Sequence, residues 1–207
     1  MFIGSKKIEK PGLKFSLDSE IIIKKRKDST WVSRGGYKLD HAISYFNLNC
    51  NDAVALDIGS STGGFTHVLL TKGVRKVYCV DVGYGQLDWE IRKNHKVIVH
   101  EKTNARYLDE KIIKQELDII VCDTSFISIK KVLPASLPFL RKKGWIIALI
   151  KPQFEIGKDL VGKGGVVRNN DHHQLVIEDI KNWFIEKNLF FVEGVVESPL
   201  LGPKGNK

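Results

Sequence analysis

The stretch Leu56-Asp57-Ile58-Gly59-Ser60-Ser61-Thr62-Gly63-Gly64-Phe65-Thr66 decides the fold. An apolar run, Ala53–Ile58, carries an acidic residue near its end. A loop of small residues follows and opens into Phe65–Lys72, which reads as a helix. Strand, glycine loop and helix form the first unit of an open α/β sheet, where ligands bind at the carboxyl ends of strands. Outward from this unit, the candidate strands are Val77–Val82, Val97–His100, Leu117–Cys122, Trp145–Ile150 and Phe190–Val196. They alternate with candidate helices Gln86–Lys93, Glu110–Glu116, Ile127–Leu140 and Asp171–Lys187. That alternation predicts a mainly parallel sheet with helices on both faces. Leu39, Ile43 and Phe46 recur at helical spacing after Gly35-Gly36. Gln153–Asn169 fits no element; glycine-rich loops of this length are functional or mobile.

The first 30 residues have a different texture. Phe2-Ile3-Gly4 and Glu20–Ile23 read as short strands, Lys10-Pro11-Gly12 as a turn and Lys24–Ser29 as a charged linker. The expected division is 1–30 and 31–207, the first part being too small to fold alone.

Composition limits the function. The chain has 207 residues, 33 Lys+Arg against 24 Asp+Glu, and a net charge of +9. With 43% hydrophobic and 28% charged residues it excludes collagen-like and disordered classes. The longest apolar run, Trp145–Ile150, falls far below the roughly 18 residues of a membrane span. No signal peptide opens the chain, and Cys50, Cys79 and Cys122 show no CxxC spacing, so a cytoplasmic protein with reduced, packed thiols is expected. Residues 1–50 carry a net +5, residues 51–150 a net +4 and the remainder zero, a distribution that suits a polyanionic partner.

The loop reads GxxxGG after an acid, whereas a dinucleotide fold uses GxGxxG to seat a pyrophosphate. It suits a cofactor without phosphates and with a cationic amino-acid end. Asp57, Gly59, Ser61, Thr62, Gly63, Gly64 and Phe65 are its candidate contacts. The next strand ends Val80-Asp81-Val82, where a carboxylate can accept ribose hydroxyls. Asn104 is a candidate for an adenine edge, and Asp123 ends the fourth strand. Polar groups at four successive strand ends match S-adenosylmethionine. The adjacent His172 and His173 point apart on a helix and have no third ligand spaced nearby, so no metal site is expected.

Several longer stretches carry a family resemblance: Val32-Ser33-Arg34-Gly35-Gly36-Tyr37-Lys38-Leu39, Leu56–Thr66, Asp81-Val82-Gly83-Tyr84-Gly85-Gln86-Leu87, Cys122-Asp123-Thr124-Ser125-Phe126-Ile127-Ser128, Ile150-Lys151-Pro152-Gln153-Phe154-Glu155 and Gly202-Pro203-Lys204-Gly205-Asn206. Together they resemble the TlyA/hemolysin A family of ribosomal RNA 2′-O-methyltransferases, within the FtsJ-like Rossmann methyltransferases. The resemblance implies a Lys–Asp–Lys–Glu catalytic set, with Lys38, Asp123 and Lys151 at its first three positions. It also implies a partner in ribosomal RNA or ribosomal subunits, with no membrane and no metal. A ribose hydroxyl must lose a proton as it attacks a methyl group, and a buried lysine beside other cations can accept it. Lys151 is read as that base, Asp123 as its orienting group and Lys38 as a substrate contact.

Other chemistries fit less well. Amine methylation goes with an Asn/Asp-Pro-Pro-aromatic motif, where this chain has Asp123-Thr124-Ser125-Phe126. Pyrimidine carbon methylation needs a cysteine nucleophile, and Cys122 lies within a strand run. The GxxxGG loop disfavours a dinucleotide oxidoreductase, and no amphipathic segment supports a membrane-acting haemolysin. The chain departs from the resemblance at both ends. Residues 1–30 match only the final part of an S4-type RNA-binding domain, and the fourth catalytic residue and last sheet strand would follow Lys207. A shortened chain, acting as a non-catalytic RNA-binding module, is the alternative expectation.

Overall fold

The computed structural model describes residues 2–4, 6–8, 14–16, 18–22, 30–186, 190–202 and 205–206. It divides into two compact units, Met1–Thr30 and Trp31–Lys207. The first holds a small antiparallel sheet of β1 (Phe2–Ile3), β2 (Lys6–Lys7) and β3 (Ile21–Ile22), ordered β2-β1-β3. Two of these strands match expectation; Lys6–Lys7 has no apolar pattern, and only its pairing with Phe2–Ile3 makes it a strand. The expected turn at 10–12 and linker at 24–29 lie outside the described residues.

The second unit begins with α1 (Gly35–Tyr45), followed by β4 (Val54–Ile58), α2 (Gly64–Thr71), β5 (Lys76–Val80), α3 (Trp89–Lys93) and β6 (Val97–His100). It continues with β7 (Leu117–Cys122), α4 (Ile129–Val132), β8 (Leu140–Ala148), α5 (Pro152–Glu155) and α6 (Asn170–Glu186). Five strands form one sheet in the order β6-β5-β4-β7-β8, and every ladder is parallel. Strands buried on both faces need continuous apolar runs, and β4 is buried at every residue. One face packs Leu39, Phe65, Val68 and Ile91 from α1, α2 and α3; the other packs Ile129, Val132, Val176 and Ile180 from α4 and α6. The chain leaves β4 toward β5 on one side and reaches β7 on the other. The loops after β4 and β7 therefore flank the switch point, where an open sheet presents a crevice.

Several expected elements differ. Glu110–Glu116 forms no helix: Asp109 Oδ1 accepts the N–H groups of Lys111 and Ile112, which closes a single turn before β7. Ile127–Leu140 is broken by Pro134 and Pro138 into α4 and a 3-10 turn at Leu137–Phe139. The strand expected at Trp145–Ile150 runs from Leu140 to Ala148, so it includes the exposed Arg141–Lys143. The first helical residue expected at Gln86 is Trp89, because the Asp88 side chain caps the helix by accepting from Glu90 N–H. Phe190–Val196 forms no strand and joins no ladder, and no described strand lies beyond β8. Alternating apolar residues make a strand only when a neighbour supplies hydrogen-bond partners. Within Gln153–Asn169 the chain forms α5, a 3-10 turn at Lys158–Leu160 and a bridge between Gly162 and Val166. Asn206 pins this loop, accepting from Val167 N–H at 3.0 Å and donating to Gly165 O at 2.9 Å. None of the described helices is long and apolar enough to cross a membrane.

Candidate active site

The carboxyl rim of the sheet brings the predicted residues into one region. Asp57 lies near the end of β4 and is fully buried. Thr66 Oγ1 donates to its Oδ2 at 2.6 Å, while its Oδ1 is buried without a partner. Burial pushes the Asp57 carboxyl up to about 7, against the Thr66 hydrogen bond and with help from nearby Asp123 and Asp81. Gly59 has φ +79, and a Cβ there would stand 3.0 Å from the Asp123 carbonyl. The close approach of the loops after β4 and β7 therefore needs glycine.

Gly64 serves packing as well as the loop. A Cβ would fall 2.2 Å from Ser33 Oγ and 3.0 Å from Gly36 N, so the start of α2 abuts the start of α1. Gly63 is the left-handed residue that opens α2. The Phe65 ring is in the core, so any ligand contact there would come from its backbone. Ser61 donates its N–H to Asp81 Oδ2 at 2.8 Å, and Gly83 N–H donates to Asp81 Oδ1 at 2.7 Å. Asp81 thus ties together the loops after β4 and β5. The Thr62 carbonyl accepts from Asp88 N–H, and Val82 is exposed beside Asp81. Asn104 uses its Oδ1 to cap the 3-10 turn at Ala105–Tyr107, accepting from Arg106 N–H at 3.1 Å.

Lys38, Asp123 and Lys151 come from α1 and from the segments after β7 and β8. Lys151 Nζ lies 2.5 Å from Asp123 Oδ1 and donates to Ser125 Oγ at 3.0 Å. Both charged side chains are largely covered, at 16% and 21% exposure. Burial draws the Lys38 ammonium below its ordinary value; Asp123 opposes this, while Lys151 and Arg34 reinforce it. Lys38 therefore lies within electrostatic reach of Asp123, Lys151 and Arg34. Cys122 is buried and its thiol is pushed up to about 11 by burial, which leaves it a poor nucleophile.

Sequence reasoning missed Ser125, Arg34 and Phe126 as members of this region. Phe126 is 90% exposed, has φ +65 and meets Phe154 at 5.1 Å between ring centroids. All three lie in quoted motifs, but a left-handed phenylalanine cannot be read from a motif. His173 Nε2 meets the Val167 carbonyl at 2.9 Å, and the described residues hold no group of three metal-ligating side chains. A separate cavity of about 390 Å³ at the opposite rim includes Asp118, Arg141, Arg75 and Lys143. Arg141 is neutralised there by Asp118 at 2.7 Å, and none of the strand-end carboxylates reaches it.

The donor set fits a cationic small molecule. Asp57, Asp81 and Asp123 are close enough to interact, and Asp57 keeps an unsatisfied buried oxygen.

Comparison with known proteins agrees with this geometry. Residues 31–207 match the model of the FtsJ-like methyltransferase family. The chain is 41% identical over 197 residues to the 16S/23S rRNA (cytidine-2′-O)-methyltransferase TlyA of Mycobacterium tuberculosis, covering 95% of this chain and 73% of that protein. It is 37% identical over 177 residues to Hemolysin A of Brachyspira hyodysenteriae, covering 85% and 73%. A solved chain from Streptococcus thermophilus that carries a hemolysin name superposes with a TM-score of 0.83 at 40% identity, over 88% of this chain and 66% of that one. An open parallel sheet with a carboxylate rim, matched from Trp31 onward, places this chain in the FtsJ-like methyltransferase family, whose fold and family imply S-adenosylmethionine as methyl donor.

Proposed function

We propose that this protein methylates a ribose 2′-hydroxyl of ribosomal RNA. The observation that carries the reading is the convergence of Lys38, Asp123 and Lys151 beside the carboxylates of the sheet rim. The Mycobacterium tuberculosis relative is named for the same reaction on cytidines of 16S and 23S rRNA. S-adenosylmethionine, when bound, supplies a methyl group on a good sulfur leaving group. Asp57 and Asp81 would hold its cationic and ribose ends, the backbone of Gly59, Ser61, Thr62, Gly63, Gly64 and Phe65 would shape the loop around it, and Val82 and Asn104 would flank its base.

Asp123 orients Lys151 toward the substrate ribose. As the 2′-oxygen forms its bond to the methyl carbon, its proton passes to the Lys151 amine, which accepts it only when neutral. Lys38 and Arg34 supply positive charge for the adjoining phosphates. The exposed Phe126 ring offers a stacking face for a base of single-stranded RNA. One observation favours a second assignment, with Lys38 as the proton acceptor: burial draws its ammonium below its ordinary value.

The test is transfer of labelled methyl to purified ribosomal subunits, followed by alkaline hydrolysis. Label retained in an alkali-resistant dinucleotide supports 2′-O-methylation; label in free bases, or no transfer, rejects it. Lys38→Ala and Lys151→Ala then separate the two assignments. The base variant loses turnover, whereas the contact variant loses apparent RNA affinity.

A further inference from the structure

The segment after β8 meets the segment after β7 at three points. Lys151 reaches Asp123 and Ser125, at 2.5 and 3.0 Å. Phe154 meets Phe126. Glu155 Oε1 accepts the N–H of Ile129, the first residue of α4, at 2.9 Å. Residues 151, 154 and 155 therefore dock, in order, on 123–125, 126 and 129.

Nothing in the backbone ladder does this work. The β7–β8 pairing ends at Cys122 and Ala148, and Leu149 N–H donating to Cys122 O is the last backbone link between the two segments among the described residues. Beyond it, Asp123 is still held by its N–H donating to Ile58 O, and the described contacts between the two segments involve side chains.

Glu155 is the one of these side chains that reaches the backbone of α4. Its second oxygen, Oε2, is buried and has no partner. An unpaired buried carboxylate oxygen is costly, and packing alone would be served better by an apolar residue. We infer that Glu155 is a positioning residue for methyl transfer. By tying the start of α4 to the turn that carries Lys151, it sets the Asp123–Lys151 separation. The contact stands on geometry; its catalytic meaning rests on the methyltransferase reading above.

The experiment compares Glu155→Ala, Glu155→Asp and Glu155→Gln, each alone and with Asp123→Asn. The aspartate withdraws the carboxylate by one methylene but keeps its charge, and it replaces the alanine if that variant does not fold. The glutamine keeps an acceptor for Ile129 N–H. Glu155→Ala and Glu155→Asp are expected to lower kcat by about ten- to a hundredfold, the range for a misplaced catalytic group. S-adenosylmethionine affinity should stay within about twofold, and Glu155→Gln should restore most of the turnover. With Asp123→Asn already present, Glu155→Ala should cost little more, because both act through one pair.

A second measurement needs no activity. The Lys151 ammonium resonance in a nitrogen-15 spectrum is sharp only while the ion pair with Asp123 and the hydrogen bond to Ser125 hold the group in place. It should broaden in Glu155→Ala and Glu155→Asp and persist in Glu155→Gln. An unchanged resonance in a folded Glu155→Asp variant overturns the inference, as does an equal loss of kcat with and without Asp123→Asn. If the unaltered protein transfers no methyl group, the functional reading fails, and the resonance still decides whether Glu155 holds the pair.

Discussion

Asp57 offers a quantitative test of the rim, because it is a fully buried carboxylate with one satisfied and one unsatisfied oxygen. Its carboxyl is raised from 3.8 to about 7, chiefly by burial. At about 1.4 kcal/mol for each tenfold change in proton affinity, ionisation costs about 4 kcal/mol more in the folded protein than in the unfolded chain. The sign follows from linkage. Between pH 3.8 and about 7 the folded protein holds the proton that the unfolded chain has released, so stability falls as pH rises through this window and levels off above it. Asp57→Asn keeps the shape and the acceptor for Thr66 but cannot titrate. Its amide leaves an unpaired buried donor, a cost of about 1–3 kcal/mol that is the same at every pH. The stability of the variant minus that of the parent should therefore climb by about 4 kcal/mol from pH 4 to pH 8. Urea unfolding at unit steps of pH measures it, with unchanged m-values as the check on two-state behaviour. Parallel pH profiles for the two proteins would refute the placement of an ionisable Asp57, with one oxygen unsatisfied, in the core.

Four further outcomes are expected. If a cationic cofactor sits beside Asp57, S-adenosylmethionine should bind more tightly as pH rises through about 7, and calorimetry should find this dependence absent in Asp57→Asn. Lys151→Ala should abolish methyl transfer while leaving S-adenosylmethionine affinity nearly unchanged, measured by turnover and calorimetry on the same preparation. Asp81→Ala removes the acceptor for both Ser61 and Gly83 N–H; it should cost about 2 kcal/mol by denaturation and weaken cofactor binding at least about tenfold, with Asp81→Asn intermediate. Gly64→Ala forces a methyl group against Ser33 Oγ and Gly36 N, so thermal unfolding should show a loss of about 1–3 kcal/mol whether or not a cofactor is present.

The elements most legible in the sequence are those whose environment is uniform. The strands β4, β5 and β7 are buried on both faces, so their apolar runs are continuous and stand out. The helix α6 has one buried stripe, marked by Val176 and Ile180, and its expected span agrees within a residue at each end. Asp57, Asp81 and Asp123 were legible for a similar reason. Each lies at or beside a strand end, and the repeat of strand and helix puts strand ends on one rim.

What escaped the sequence depends on neighbours distant along the chain. Lys6–Lys7 is a strand because Phe2–Ile3 pairs with it, and Phe190–Val196 is none because no described strand lies beside it. Lys38 and Lys151 look alike as residues. One is drawn below its ordinary value by burial among cations, while the other pairs with Asp123. The contact of Glu155 with Ile129 N–H, and the left-handed turn that exposes Phe126, follow from the docking of two segments beyond the ends of β7 and β8. Apolar periodicity and loop chemistry are local properties, and by themselves they determined the buried strands and the rim at their carboxyl ends. The charge state and partner of each side chain depend on burial and on charges brought near from other strands, and those only the tertiary structure decided.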